Sequence, residues 1–239
     1  MLSILITNDD GIASDGLVRL ARAAQEFGEV WAVAPDGQRS AASHAITLHG
    51  TVDIFPADFP VEGVHAFSCS GTPADCVRTG ALSVMPHKPD VVISGINNGL
   101  NTATDIQYSG TCGAAFEGAF QGILSIALSE DVHTCREVTD LYLSRLLREL
   151  ISSGMPGQSE IYNVNFPACP LSELKGILYD RRVSDGMFYK DSYKTVEELP
   201  GGGVRLVVSG ALDKKAEEGS DLRAVIENYI SVGKAKNIS

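Results

Sequence analysis

Short apolar runs alternate with amphipathic segments through the first half of the chain. Residues 3–7 read as a strand that stops at Asn8-Asp9-Asp10-Gly11, and residues 15–27 carry Leu17, Leu20, Ala21 and Ala24 at helical spacing. A second strand, 29–34, ends at Pro35, and a helix is expected over 73–84 with Pro73 in its first turn. Residues 90–94 read as a third strand ending at Gly95, 110–121 as a helix of small residues, 124–128 as a strand and 135–152 as a helix. Segments 46–55 and 64–69 look like extra strands outside the alternation. Apolar strands separated by helices predict βαβ units, hence an α/β fold on a mostly parallel sheet.

After residue 160 the pattern changes. Short strands are expected at 161–166, 176–179 and 204–208, and a short helix at 221–228. Between them, 180–203 is polar, aromatic and glycine-rich. The expected organisation is a catalytic core over 1–166 and a β-rich, partly helical appendage over 167–239, which packs on the sheet or reaches a partner subunit.

Composition narrows the function classes. With 239 residues, 44% of them hydrophobic, the chain can bury a substantial core. Its formal net charge of -11 disfavours duplex nucleic acid as a partner, because an acidic surface cannot track a phosphate backbone. Five scattered cysteines without a CxxC pair argue against a disulfide framework or a zinc knuckle. There is no basic start to a signal peptide and no apolar run of the ~20 residues that span a bilayer. A soluble, cytoplasmic protein is expected.

The candidate chemistry lies where strands end, since an open α/β sheet gathers ligands at the carboxyl ends of its strands. Asp9 and Asp10 follow the first strand, and Gly11 lets the chain turn so that both carboxylates can face one cation; a plain polar turn accounts for the tetrapeptide equally well. The second strand leads into Pro35-Asp36-Gly37-Gln38-Arg39-Ser40 and on to His44. The third leads into Gly95-Ile96-Asn97-Asn98-Gly99-Leu100-Asn101. Ser109-Gly110-Thr111 opens the next helix, a start that suits an anion or simply caps the helix. Each segment alone reads as an ordinary loop or cap; together they converge on one crevice. Asp9, Asp10, Ser40 and Asn97 would offer it oxygen donors only, a set that suits Mg²⁺ or Mn²⁺ rather than zinc.

These residues stand in ITNDDGI (6–12), VAPDGQRSAASHAIT (33–47), SGTPADCV (70–77), VVISGINNGLN (91–101) and YSGTCGAAFEGA (108–119), followed by NVNFP (163–167) and SDLRAVIENYIS (220–231). The ordered set resembles the SurE family of survival-protein phosphatases nearly end to end. The resemblance implies a Rossmann-like three-layer core and a C-terminal appendage often exchanged between subunits, giving a homodimer or homotetramer. It implies a nucleotidase that hydrolyses nucleoside 5′- and 3′-monophosphates, in some members also short polyphosphate, with one divalent metal ion per subunit. The family's metal ligands fall on Asp9, Asp10, Ser40 and Asn97. Its phosphate-binding stretch falls on Ser109, Gly110 and Thr111, and Asn8 and Asn101 match positions lining the same site.

In that reading Asp9 is a metal ligand and a candidate base, Asn8 orients phosphate or water, and Ser109 and Thr111 hydroxyls hold phosphate oxygens. His44 is a candidate acid. An aspartyl-phosphate route ranks lower, since Asp9 and Asp10 are adjacent. The chain departs from the family at Ala41-Ala42-Ser43, over 182–190 and after Ser231. The competing class is a non-catalytic nucleotide sensor built on the same crevice. A metal-dependent deacetylase or glycosyl-transfer enzyme is a third reading, by fold analogy alone.

Overall fold

A computed structural model describes residues 1–131, 135–213 and 215–238. The first half runs β1 (Leu2–Thr7), α1 (Asp15–Ala24), β2 (Gly28–Pro35), β3 (Ile54–Pro56), β4 (His65–Cys69), α2 (Pro73–Thr79), β5 (Val91–Asn98), α3 (Asp105–Tyr108) and α4 (Gly110–Phe120). The second runs β6 (Leu124–Glu130), α5 (Glu137–Ser153), β7 (Glu160–Phe166), β8 (Gly176–Arg181), β9 (Tyr189–Leu199), β10 (Gly203–Leu212), α6 (Asp221–Ile226) and β11 (Tyr229–Lys236).

The main sheet has the order β3-β4-β2-β1-β5-β6-β7-β11-β8. The pairings from β4 through β7 are parallel; β3 on β4 and β11 on β7 are antiparallel. β1, β5 and β6 are buried along nearly their whole length because both faces are covered. Along β1, Ile4 and Ile6 pack with Leu17 and Leu20 of α1 and Leu146 and Leu147 of α5. Leu5 faces the other way, with Cys76 and Val77 of α2 and Ala114 of α4. Three layers result, as expected. The chain passes from β1 to β2 on one side and returns to β5 on the other, so β1 and β5 flank the point where strand order reverses. A crevice opens there, outside their carboxyl ends.

Several boundaries differ from the sequence expectation. Of 46–55, only Ile54 and Phe55 enter a strand. The rest lies over α2, with the Thr47 N–H and hydroxyl donating to Asp75. The helix expected over 73–84 stops at Thr79 and continues as a wider turn, Gly80–Val84. β5 does not end at Gly95: it runs to Asn98, with a register shift against β6 between Ser94 and Asn97. The polar segment 180–203 contains β9, which pairs with β10 in a separate two-stranded antiparallel ribbon. β8 and β11 rejoin the main sheet beyond β7. Among the described residues, no helix is long and apolar enough to cross a membrane.

Candidate active site

The loop after β1 is shaped by Asn8. Its Oδ1 accepts the Gly11 N–H (3.1 Å), and its Nδ2 donates to the Gly11 carbonyl (3.1 Å) and to Ser14 Oγ (2.5 Å). Ser14 in turn caps α1 by accepting the Leu17 N–H. Gly11 closes the turn at φ +101°, a conformation that favours glycine, and a Cβ there would lie 3.3 Å from the Gly37 backbone and the Pro35 carbonyl of the next loop. Two backbone bonds complete the junction: Ile12 N–H to the Pro35 carbonyl (2.8 Å) and Arg39 N–H to the Asp9 carbonyl (2.7 Å). The loops after β1 and β2 are thereby one unit, and the side chain of Asn8 serves to build it.

Asp9 is 4% exposed and points at the start of α4. Thr111 donates its hydroxyl to Asp9 Oδ1 at 2.8 Å, and its backbone N–H also bonds this carboxylate. The carboxylate comes this close because position 110 is glycine: a Cβ there would lie 3.0 Å from Asp9 Cβ and 3.1 Å from Asp9 Oδ2. Burial raises the Asp9 pKa to about 6 against the opposing Thr111 bond, with the neighbouring Asp10 charge adding to the rise. Asp10 is half-buried, and its Oδ2 accepts the Asn98 N–H at 3.3 Å.

Asn97 donates its Nδ2 to the Gly99 carbonyl at 2.8 Å, which leaves its Oδ1 as the group offered to a ligand. Ser40 is exposed on the adjoining loop, where Gln38 Nε2 donates to its hydroxyl at 3.0 Å. The structure therefore joins Asp9, Asp10, the end of β5 and the first turn of α4. It puts Ser40 on the neighbouring loop, next to the Arg39 that is bonded to Asp9. Among the described residues, no group of three or more His, Cys, Asp or Glu side chains is placed to hold a metal. A cation in this crevice would meet two carboxylates and neutral oxygens.

The residues expected to bind phosphate split into two groups. Ser109 caps α4 by accepting the Cys112 N–H at 3.0 Å, which leaves its own hydroxyl hydrogen unused by that contact. The Thr111 hydroxyl is committed to Asp9. Asn101 is buried in a polar patch further along the sheet edge. Its N–H donates to Asn165 Oδ1 (2.8 Å), its carbonyl accepts from Asn163 and Asn165, and its Nδ2 donates to Ser129 (2.8 Å). His44 does not reach Asp9. It pairs with Glu117 of α4 (Nε2 to Oε2, 3.0 Å) and packs over Phe120.

The model of the family described as Survival protein SurE matches residues 4–186. The chain belongs to the SurE family. It is 36% identical over 233 residues to 5′-nucleotidase SurE of Thermosipho melanesiensis, covering 97% of this chain and 90% of that protein. It is 38% identical over 242 residues to 5′-nucleotidase SurE of Alkaliphilus metalliredigens, covering 97% and 91%. The crystal structure of the SurE protein from Aquifex aeolicus superposes with a TM-score of 0.82 at 32% identity, over 99% of this chain and 94% of that one.

Within this SurE chain, several motif residues whose role the sequence left open support the site from behind. Asp75 accepts from the Thr47 N–H (2.9 Å), the Thr47 hydroxyl (2.7 Å) and the Thr72 N–H (3.0 Å). Burial opposes its charge, but those bonds hold its pKa below the usual carboxylate value. Thr72 also donates its hydroxyl to the Ala45 carbonyl, so the loop bearing Ser40 is pinned to the start of α2. The Thr72-x-x-Asp75 spacing of a capping box was the readable signal. Glu117 is likewise buried yet kept ionised by His44, Gln121 and Arg78, and ties that same loop to α4. No spacing rule announced the Asn163 and Asn165 contacts, which depend on β7 lying beside β6.

Proposed function

We propose that this SurE-family chain is a divalent-metal-dependent phosphomonoesterase that hydrolyses nucleoside 5′- and 3′-monophosphates to nucleoside and phosphate. The relatives' name, 5′-nucleotidase SurE, supports the substrate class. The observation that carries the reading is Asp9: a carboxylate buried at the junction of three catalytic-edge segments, beside a second carboxylate, with its ionised form disfavoured by burial. Such a pair is suited to a cation that restores the charge balance.

The residues fit a metal. Thr111 holds Asp9 Oδ1, so Oδ2, against Gly110, remains for the ion; Asp10, Asn97 Oδ1 and the Ser40 hydroxyl complete an oxygen-only set for Mg²⁺ or Mn²⁺. When bound, such an ion supplies Lewis acidity, lowering the pKa of a water and offsetting charge on the phosphoryl group. The chain's own part is binding and orientation. The unused Ser109 hydroxyl hydrogen and the amide-bearing start of α4 face incoming phosphate oxygens. Asn8 fixes the loop that aims Asp9 and Asp10, and the Asn101 loop borders the phosphate side.

The same proposal includes short polyphosphate as a further substrate and a cytoplasmic setting, which five free thiols support. It also includes a division into a catalytic core, 1–166, and an appendage, 167–239, used in a homodimer or homotetramer. In its support, among the described residues the β9–β10 ribbon pairs with no strand of the main sheet, and it exposes Tyr193, Val196, Leu206 and Val208. The test is phosphate release from a panel of nucleoside 5′- and 3′-monophosphates with Mg²⁺ and with Mn²⁺. Release from several of them is expected; none from any, with phosphate binding intact, would favour a sensor.

A further inference from the structure

The motifs NVNFP and SDLRAVIENYIS take no direct part in the site, yet both terminate on the loop that carries Asn101. From one side, Asn163 and Asn165 of β7 bond the backbone of Asn101. From the other comes Asp221, the first residue of α6, 3% exposed. Its Oδ2 accepts the Ala103 N–H at 3.2 Å; its Oδ1 accepts the Ser184 N–H at 2.9 Å and the Leu222 N–H at 2.7 Å. Ala103, two residues past Asn101, stands at φ +54°, a left-handed conformation that an alanine keeps only where its surroundings impose it. Ser184 lies between β8 and β9, at the entry to the exposed ribbon.

Asp221 also lies close to the helix that receives Asp9. Cys112, in the first turn of α4, has its thiol pushed up to about 12 by burial, with the Asp9 and Asp221 charges adding to the rise. The two carboxylates thus act on one turn: Asp9 on the metal side, Asp221 behind the Asn101 loop.

We propose that Asp221 is a positioning residue. By dividing its two oxygens between Ala103 and Ser184, it fixes the Asn101 loop against the start of α4, and so sets the phosphate side of the site from the C-terminal segment. The proposal rests on the reading above of Asn101 and Ser109–Thr111 as phosphate-side residues. A carboxylate is needed because both oxygens accept N–H groups. In Asp221→Asn the shape is kept, but one acceptor becomes an NH₂ that must face a backbone N–H. The Asp9, Asp10, Ser40 and Asn97 side chains have no hydrogen bond to Asp221 among the described residues, so metal and phosphate affinities should separate.

The experiment uses the full chain, wild type and Asp221→Asn. Calorimetry follows binding of Mn²⁺ alone and of inorganic phosphate to the Mn²⁺-loaded protein, and kinetics follow AMP. Loss of a bond to a buried charge predicts phosphate affinity weakened about tenfold and KM for AMP raised by a similar factor. Mn²⁺ affinity and kcat should stay within about threefold of wild type, a smaller change than that bond implies. A folded Asp221→Asn protein with wild-type phosphate affinity overturns the proposal, as does one in which phosphate and Mn²⁺ affinity fall together. Should Asp221→Asn not fold, Asp221→Ser decides: its single hydroxyl oxygen cannot accept from both Ala103 and Ser184, and wild-type phosphate affinity there overturns the proposal. A wild type that binds phosphate but does not hydrolyse AMP defeats the nucleotidase reading while the Asp221 result stands on binding. A wild type that binds no phosphate defeats both.

Discussion

Asp9→Asn should stabilise the metal-free protein while abolishing its activity. The folded-state pKa of Asp9 is raised from 3.8 to about 6, so between those values the folded protein holds a proton that the unfolded chain has lost. Stability therefore falls as pH rises through that window. A rise of this size corresponds to about 3 kcal/mol, fully lost above pH ~7 and about half lost at pH ~5. An amide at position 9 carries no such cost, keeps an acceptor for the Thr111 hydroxyl and puts a donor beside Asp10.

For a domain of this size 1 kcal/mol moves Tm by about 2–4 °C, so the variant should melt about 6–12 °C above the wild type at pH 8 in chelator. The gap should be roughly halved at pH 5. Added Mn²⁺ should reverse the order, since a ligand at about a thousand times its Kd contributes about 4.1 kcal/mol to the wild type alone. Differential scanning calorimetry at both pH values reads this directly. An Asp9→Asn protein no more stable than wild type at pH 8 in chelator, or a gap that does not shrink at pH 5, would refute the reasoning.

Four further outcomes are expected. Gly110→Ala places a methyl 3.1 Å from Asp9 Oδ2, so the carboxylate must move by a few tenths of an ångström; kcat/KM for AMP should fall about tenfold with little change in Tm. Thr111→Val removes the hydroxyl that holds Asp9 Oδ1; Mn²⁺ binding by calorimetry should weaken about tenfold as the ionised carboxylate loses its donor. Asn97→Ala should weaken Mn²⁺ by at least about tenfold, the scale on which even outer partners of a metal site register. In wild-type crystals soaked with Mn²⁺, the anomalous peak belongs between Asp9, Asp10, Ser40 and Asn97, and a peak elsewhere would argue against this ligand set.

The sheet was legible where burial leaves mostly apolar runs, as in 3–7, 29–34 and 124–128. It was not legible where pairing carries no apolar signature. β9 is exposed along most of its length, so its sequence shows no buried alternation; only its partner β10 makes it a strand. Residues 46–53 have strand-like composition, but Thr47 is captured by Asp75 and the segment is held over α2 instead. β5 runs past Gly95 because Asn97 and Asn98 pair with Ser129 and Glu130 of β6, a cross-strand fact that one strand's sequence does not carry.

Within the candidate site, clustering at strand ends pointed to one crevice but not to which side chains bond one another across it. Asn8 and Thr111, read as groups that touch substrate, have their polar atoms turned toward Gly11, Ser14 and Asp9. Hydrogen-bond direction is a property of packing between β1 and α4, and no local spacing encodes it. The same holds for Asp221, which lies far along the chain from Ala103 and meets it only once β11 has returned to the sheet.

Phosphate release from AMP by chelator-stripped wild-type protein, titrated with Mn²⁺, is the most direct test of a metal-dependent nucleotidase centred on Asp9. No release is expected without metal, with activity rising to saturation as Mn²⁺ is added and no recovery in Asp9→Asn at any concentration. Full turnover by the stripped protein, or by Asp9→Asn, would contradict it.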